Sequence, residues 1–152
     1  MTTPSTLDPG GERPDGVDEG LPNADTGAAL TGDEAIAQSL RKFNKELSSG
    51  IVSLALLALM AHAEKPLYGY QIAKELEGFG EGLPVKQGTL YPVLRSLESG
   101  GLLTSEVEPS VTGPPRRYYS VTEEGRQAIV LWRQSWIRTR EFVDSVLEGD
   151  RG

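Results

Sequence analysis

From Asp33 onward the apolar residues Ala35, Ile36, Leu40, Phe43 and Leu47 recur at intervals of three and four, the period of one face of an α-helix. The spacing predicts an amphipathic helix from about 33 to 47, opened by Asp33 after Gly32 and closed near Ser48 to Gly50. Ile51 to about His62 is apolar on nearly all sides, which predicts a second helix surrounded by other elements. Pro66 and Gly69 mark a short turn. Tyr70, Ile72, Ala73 and Leu76 then give a third helix an apolar face, ending at Gly78. Gly80, Gly82 and Pro84 make the next connection non-helical. A fourth helix is expected from about Gln87 to Glu98, with Leu90, Val93, Leu94 and Leu97 facing inward. Pro92 falls in its first turns, and Ser99-Gly100-Gly101 closes it.

Two runs of β-branched and aromatic residues follow, Leu102 to Val107 and Arg116 to Val121, joined by a Pro-rich stretch. They read as a β-hairpin. Thr122, Glu123, Glu124 and Gly125 open a last helix that runs to Leu147 or Glu148. In it Ile129, Trp132, Trp136, Thr139, Val143 and Val146 form a heptad seam interrupted only by Thr139. Such a seam requires a helical partner, and a single small domain has limited surface to supply one. A second copy is expected, with Phe43 and Leu47 of the first helix completing the interface. The fold class is therefore mostly α with a small β-hairpin wing (α+β): a winged helix-turn-helix with an N-terminal helix and a long C-terminal dimerisation helix. The expected divisions are a tail at 1–32, an N-terminal helix at 33–49, the winged domain at 50–121 and the C-terminal helix at 122–148.

The residues sharpen this reading. Pro66-Leu67-Tyr68-Gly69-Tyr70-Gln71-Ile72-Ala73, Gly88-Thr89-Leu90-Tyr91-Pro92-Val93-Leu94, Leu97-Glu98-Ser99-Gly100-Gly101-Leu102 and Arg116-Arg117-Tyr118-Tyr119-Ser120-Val121-Thr122-Glu123-Glu124-Gly125 occur in that order. Together they closely resemble the PadR family of bacterial transcriptional regulators, over about residues 41 to 147. The resemblance implies a dimeric DNA-binding repressor or regulator that answers to a small ligand, and a pseudo-palindromic operator for its two half-sites. It also implies a ligand role for Trp136. That residue matches a tryptophan which, in some PadR-like multidrug regulators, lines a pocket at the dimer centre and stacks on flat ligands. Trp132 is a weaker candidate for the same role. Against both stands the ordinary use of large aromatics on a helical seam, which is packing.

Charge at first opposes DNA. The 152 residues hold 22 acids and 15 Lys or Arg, a net of -7. Residues 1–32 alone hold six acids and one base, among Pro and Gly, with too little apolar surface to offset the entropy of ordering. That acidic tail is expected to be disordered, and it leaves only -2 for the rest. Within the rest, Lys86 and Arg95 are the only charged side chains between Val85 and Leu97, and Arg116 and Arg117 the only ones between Pro109 and Thr122. The expected recognition helix and the wing are thus locally positive. These four cations can neutralise phosphates, and Gln87, Thr89 and Tyr91 at a helix N-terminus can reach phosphates or base edges. Tyr68, Tyr70 and Gln71 at the preceding helix start are further candidates for backbone contact. Tyr70 could equally pack; for the two arginines the alternative is a solvated pair, but their place beside a Pro-rich wing favours phosphate contact.

Other chemistry is poorly provided for. Zero cysteines exclude disulfides, thiolate metal sites and thiol nucleophiles, and the single His62 has no metal-spaced partner. No phosphate-binding glycine loop precedes a Lys-Ser or Lys-Thr pair. Neither an enzyme activity, a metal nor a cofactor is expected. The N-terminus lacks the features of an export signal. The apolar run Ile51 to Ala61 is about half of the roughly 20 residues needed to cross a bilayer. The expected location is cytoplasmic, with double-stranded DNA, a second copy and a small-molecule effector as partners and no membrane. The competing hypothesis is a winged-helix protein-interaction module with little DNA specificity, which the lack of a dense basic patch keeps open.

Overall fold

The computed structural model describes residues 2, 10, 29–82 and 85–152. The acidic tail expected at 1–32 therefore lies almost wholly outside the described residues. By contacts the chain divides into two units, residues 1–39 and 40–152.

The first helix, α1 (Gly32–His62), is one element where the sequence suggests two. Its N-terminus is capped by Thr31 rather than Asp33. The Thr31 hydroxyl accepts from the Glu34 N–H at 3.3 Å while the Glu34 carboxylate accepts from the Thr31 N–H at 3.0 Å, a reciprocal capping box. The expected break at Ser48 to Gly50 does not occur. Ser48 is helical, with its hydroxyl donating to the Asn44 carbonyl at 2.6 Å, and a lone glycine costs a helix only about 1 kcal/mol relative to alanine. That cost is outweighed downstream, where Val52, Leu56, Leu57 and Met60 are buried at roughly 1.5–3 kcal/mol for each side chain.

There follow β1 (Leu67–Tyr68), α2 (Gly69–Glu77), α3 (Gln87–Ser99), β2 (Leu103–Glu108), β3 (Arg116–Val121) and α4 (Glu123–Glu148). The hairpin is in fact two strands of a three-stranded antiparallel sheet of order β1-β3-β2. Leu67 faces Tyr119 and Tyr68 faces Tyr118, while Leu103 to Glu108 pair in register with Val121 to Arg116. A two-residue strand is too short to show alternation, so β1 reads as a turn in the sequence. One core joins the elements: Val52, Leu56, Leu57 and Met60 of α1, Ile72 of α2, Leu90, Leu94 and Leu97 of α3, and Leu67, Leu103 and Tyr119 of the sheet. Tyr70, expected on the inner face of α2, instead points outward and is 50% exposed.

A joint links α3, the wing and α4. Gly101 takes a positive φ of 77°, and the N–H groups of Gly101 and Leu102 return to the carbonyls of Glu98 and Leu97, each at 2.9 Å, so Leu102 closes α3 rather than starting the strand. Thr122 donates its N–H to the Leu102 carbonyl at 3.1 Å and its hydroxyl to the Gly101 carbonyl at 2.7 Å. The same hydroxyl accepts the Gly125 N–H at 3.0 Å, the N-cap that the sequence suggests. Gly125 is buried so tightly that a Cβ there would overlap the Leu102 carbonyl oxygen. At the next residue, the Arg126 guanidinium donates to the Ala61 carbonyl at 3.1 Å and so caps the C-terminal end of α1.

Candidate nucleic-acid interface

Helix α3 is held from behind and open in front. Leu90 and Leu94 are fully buried and Leu97 nearly so, while Lys86, Gln87, Gly88 and Thr89 at its N-terminus are all exposed. Lys86 occupies the N-cap without a side-chain capping bond, since an ammonium has no acceptor to offer the helix N–H groups. Pro92 is the sixth residue of the helix, not part of the first turn, so α3 forgoes the hydrogen bond its N–H would give the Gly88 carbonyl. Gln87 donates its side-chain amide to the Tyr91 hydroxyl at 3.2 Å. The Tyr91 ring lies against Gly69 at the start of α2, where an added Cβ would come within 2.8 Å of its Cε1 atom. Glycine at position 69 thus lets the two helix N-termini approach, a requirement the sequence alone did not reveal.

The start of α2 carries the next group. Gln71, half-buried, accepts the Tyr68 N–H on its Oε1 at 3.2 Å, so its amide serves the helix cap before anything outside. Tyr68 and Tyr70 stack with ring centroids 6.3 Å apart, and Tyr118 meets Tyr68 edge-on at 5.5 Å. The Arg116 guanidinium sits 4.6 Å above the Tyr68 ring, and the Lys74 ammonium lies 5.6 Å from the Tyr70 centroid. Lys74 escaped the sequence reading. Its signal was its position one turn beyond Tyr70 on the same helix face.

The two wing arginines diverge, as neighbours on a strand must. Arg117 turns toward α3 and donates to the Ser105 hydroxyl at 2.9 Å, and Ser105 in turn donates to the Glu98 carboxylate at 2.6 Å. It is therefore tied to the recognition helix rather than being half of a solvated pair with Arg116. With Tyr91, Arg95, Glu98 and Tyr119 it lines a hollow of about 400 Å³. Burial, then the Glu98 charge, raises the Tyr119 pKa above its ordinary 10.0. Among the described residues the ion pair found is Lys42 with Glu46 on α1, so the cations of α3 and the wing are not neutralised by a carboxylate within 4.0 Å.

The remaining candidates lie on α1 and α4. Phe43, Leu47, Trp136, Val143 and Val146 are all exposed, Trp136 at 37%. Ile129 and Trp132 differ from them: both are half-buried and packed against the core of their own chain, so they root α4 in its domain. A larger open cleft of about 810 Å³ lies along α1 and α2, lined by Ala55, Ala58, Leu59, Leu67, Leu76 and Phe79 among others, and includes neither tryptophan.

A helix-turn-helix with a β-wing, cations on both exposed elements and a long helix beyond it defines a winged-helix DNA-binding protein. Residues 56–130 match the model of the transcriptional regulator PadR-like family. Over 94 residues the chain is 40% identical to the transcriptional regulator Rv3488 of Mycobacterium tuberculosis, covering 61% of this chain and 82% of that protein. A PadR family transcriptional regulator from Eggerthella lenta is similar at 32% identity with a TM-score of 0.65, over 75% of this chain and 96% of that one. A PadR-like transcriptional regulator from Bacillus cereus is similar at 25% identity with a TM-score of 0.55, over 70% of this chain and 98% of that one. The chain belongs to the PadR family. It is a DNA-binding transcriptional regulator, and the family and its named members are regulators rather than enzymes.

Proposed function

We propose that this regulator acts as a homodimer that represses transcription by occupying a pseudo-palindromic operator and is released by a small, flat aromatic ligand. The observation that carries the DNA reading is the presentation of α3: a fully apolar back and an exposed front of Lys86, Gln87 and Thr89. In this reading those three residues with Tyr91 address the major groove, while Arg95, Arg116 and Arg117 hold phosphates on either side. Tyr70 and Gln71 approach the backbone at the start of α2. The dimer rests on the exposed apolar row Trp136, Val143 and Val146 of α4, with Phe43 and Leu47 of α1, a patch that an isolated chain leaves in water. Two recognition helices then enter successive major grooves about one turn, roughly 34 Å, apart. Trp136, at the start of that row, is the group we assign to stacking on the effector, with Trp132 as the weaker candidate. A protein that works on the bacterial chromosome resides in the cytoplasm.

The test is a titration of the purified protein on its own promoter region at several salt concentrations. Specific binding should exceed binding to unrelated DNA by at least about a thousandfold, with a marked salt slope. Retention without sequence preference, or none at low salt, would overturn the regulator reading and favour a protein-interaction module. Tryptophan fluorescence during titration with planar aromatic compounds tests the effector, and an absence of quenching across a varied panel would leave Trp136 with packing alone.

A further inference from the structure

Arg116 has two neighbours competing for its charge. Across the hairpin it stands directly opposite Glu108, the register at which a salt bridge would be expected. Yet the ion pair found among the described residues is Lys42 with Glu46, and the Arg116 guanidinium lies instead 4.6 Å above the face of Tyr68. Tyr68 belongs to β1, outside the wing hairpin, and its ring is fixed from two sides, by Tyr118 edge-on and by Tyr70 in a stack. A ring so held offers a guanidinium one well-defined seat.

We propose that Tyr68 is a positioning residue for DNA binding: the face of its ring, not its hydroxyl, holds Arg116 away from Glu108 and ready for a phosphate. This rests on the reading of Arg116 as a phosphate contact. The wing's cation is then set by a residue that precedes it by 48 positions and lies on a different element. An arginine paired with Glu108 would have to break that pair before meeting DNA; an arginine over a neutral ring keeps its full charge. The Tyr70 ring with Lys74 repeats the arrangement one step along α2.

The test uses the full-length protein and an operator fragment on which the wild type binds specifically; without such binding, the underlying functional reading fails and not this inference. Arg116→Ala should weaken binding and lower the salt slope by about 0.9, the value of one phosphate contact. If it leaves both unchanged, Arg116 makes no such contact and that reading fails first. Given a loss with Arg116→Ala, Tyr68→Phe should bind as the wild type, and Tyr68→Leu should bind roughly two- to fivefold more weakly, the range of an exposed cation–π contact. Tyr68→Leu should add nothing in the Arg116→Ala background, and Glu108→Gln should recover most of what Tyr68→Leu loses. A Tyr68→Phe defect equal to that of Tyr68→Leu, or additive losses in the double variant, would assign Tyr68 a direct contact through its hydroxyl and overturn the proposal. Proton spectra of the free protein give a readout independent of DNA and of stability. The Arg116 side-chain resonances should show a ring-current upfield shift in the wild type and Tyr68→Phe that disappears in Tyr68→Leu, and no shift in the wild type would also overturn it.

Discussion

Single residues set what this molecule tolerates. Gly125 has a carbonyl oxygen where any other residue would place its Cβ, and Val121 closes the other side. Gly125→Ala must move the backbone joint itself, and we expect a loss of about 1–3 kcal/mol in urea unfolding. Gly69→Ala presses instead on the end of a tyrosine side chain, which can swing. Its cost should appear less in stability than in DNA affinity, because Tyr91 is the group displaced. Tyr119 adds a dependence on pH. Its raised pKa means that the folded chain binds the phenolic proton more tightly than the unfolded chain does. The stabilisation is complete below the unfolded value of about 10 and disappears as pH climbs through the folded value. Unfolding curves between neutral pH and strong alkali should therefore fall more steeply for the wild type than for Tyr119→Phe.

At the scale of elements, α1 teaches the most. Continuity through Ser48, Ser49 and Gly50 leaves an exposed glycine inside a helix with nothing near its Cβ position. Gly50→Ala should raise stability by about 0.5–1 kcal/mol in thermal or urea unfolding, whereas a real break at this point would make the same change neutral or harmful. The sequence carried α2, α3, the hairpin and α4 because each has a clear apolar period bounded by glycine, proline or a cap. It could not carry the join within α1, since two different hydrophobic patterns on one helix look like two helices. β1 was hidden by its brevity, and its partner β3 supplies the pairing that makes it a strand. Among the site residues, cations and helix-start polar groups were legible from local charge. Their partnerships were not: Arg117 with Ser105 and Glu98, or Arg116 with Tyr68, depend on strand register and on elements far apart in sequence.

For the whole molecule, the balance between buried and exposed apolar surface points outward along α4. Its first turns are rooted in the core through Ala128, Ile129 and Trp132, while Phe142, Val143, Val146 and Leu147 near its end remain in water. A charge placed in that exposed row should cost the monomer little and a dimer a great deal. Val143→Glu is expected to leave the circular dichroism unchanged, to shift sedimentation toward the monomer mass and to weaken operator binding by at least about tenfold, the equivalent of 1.4 kcal/mol. A dimer that survives the change would move the interface elsewhere.

The joint at Gly101, Leu102, Thr122 and Gly125 has a mechanical consequence. Hydrogen bonds and a side-chain-free contact weld the end of α3 to the start of α4, with no free linker between them. The long helix and α3 are therefore expected to move together, like a handle forged in one piece with its blade.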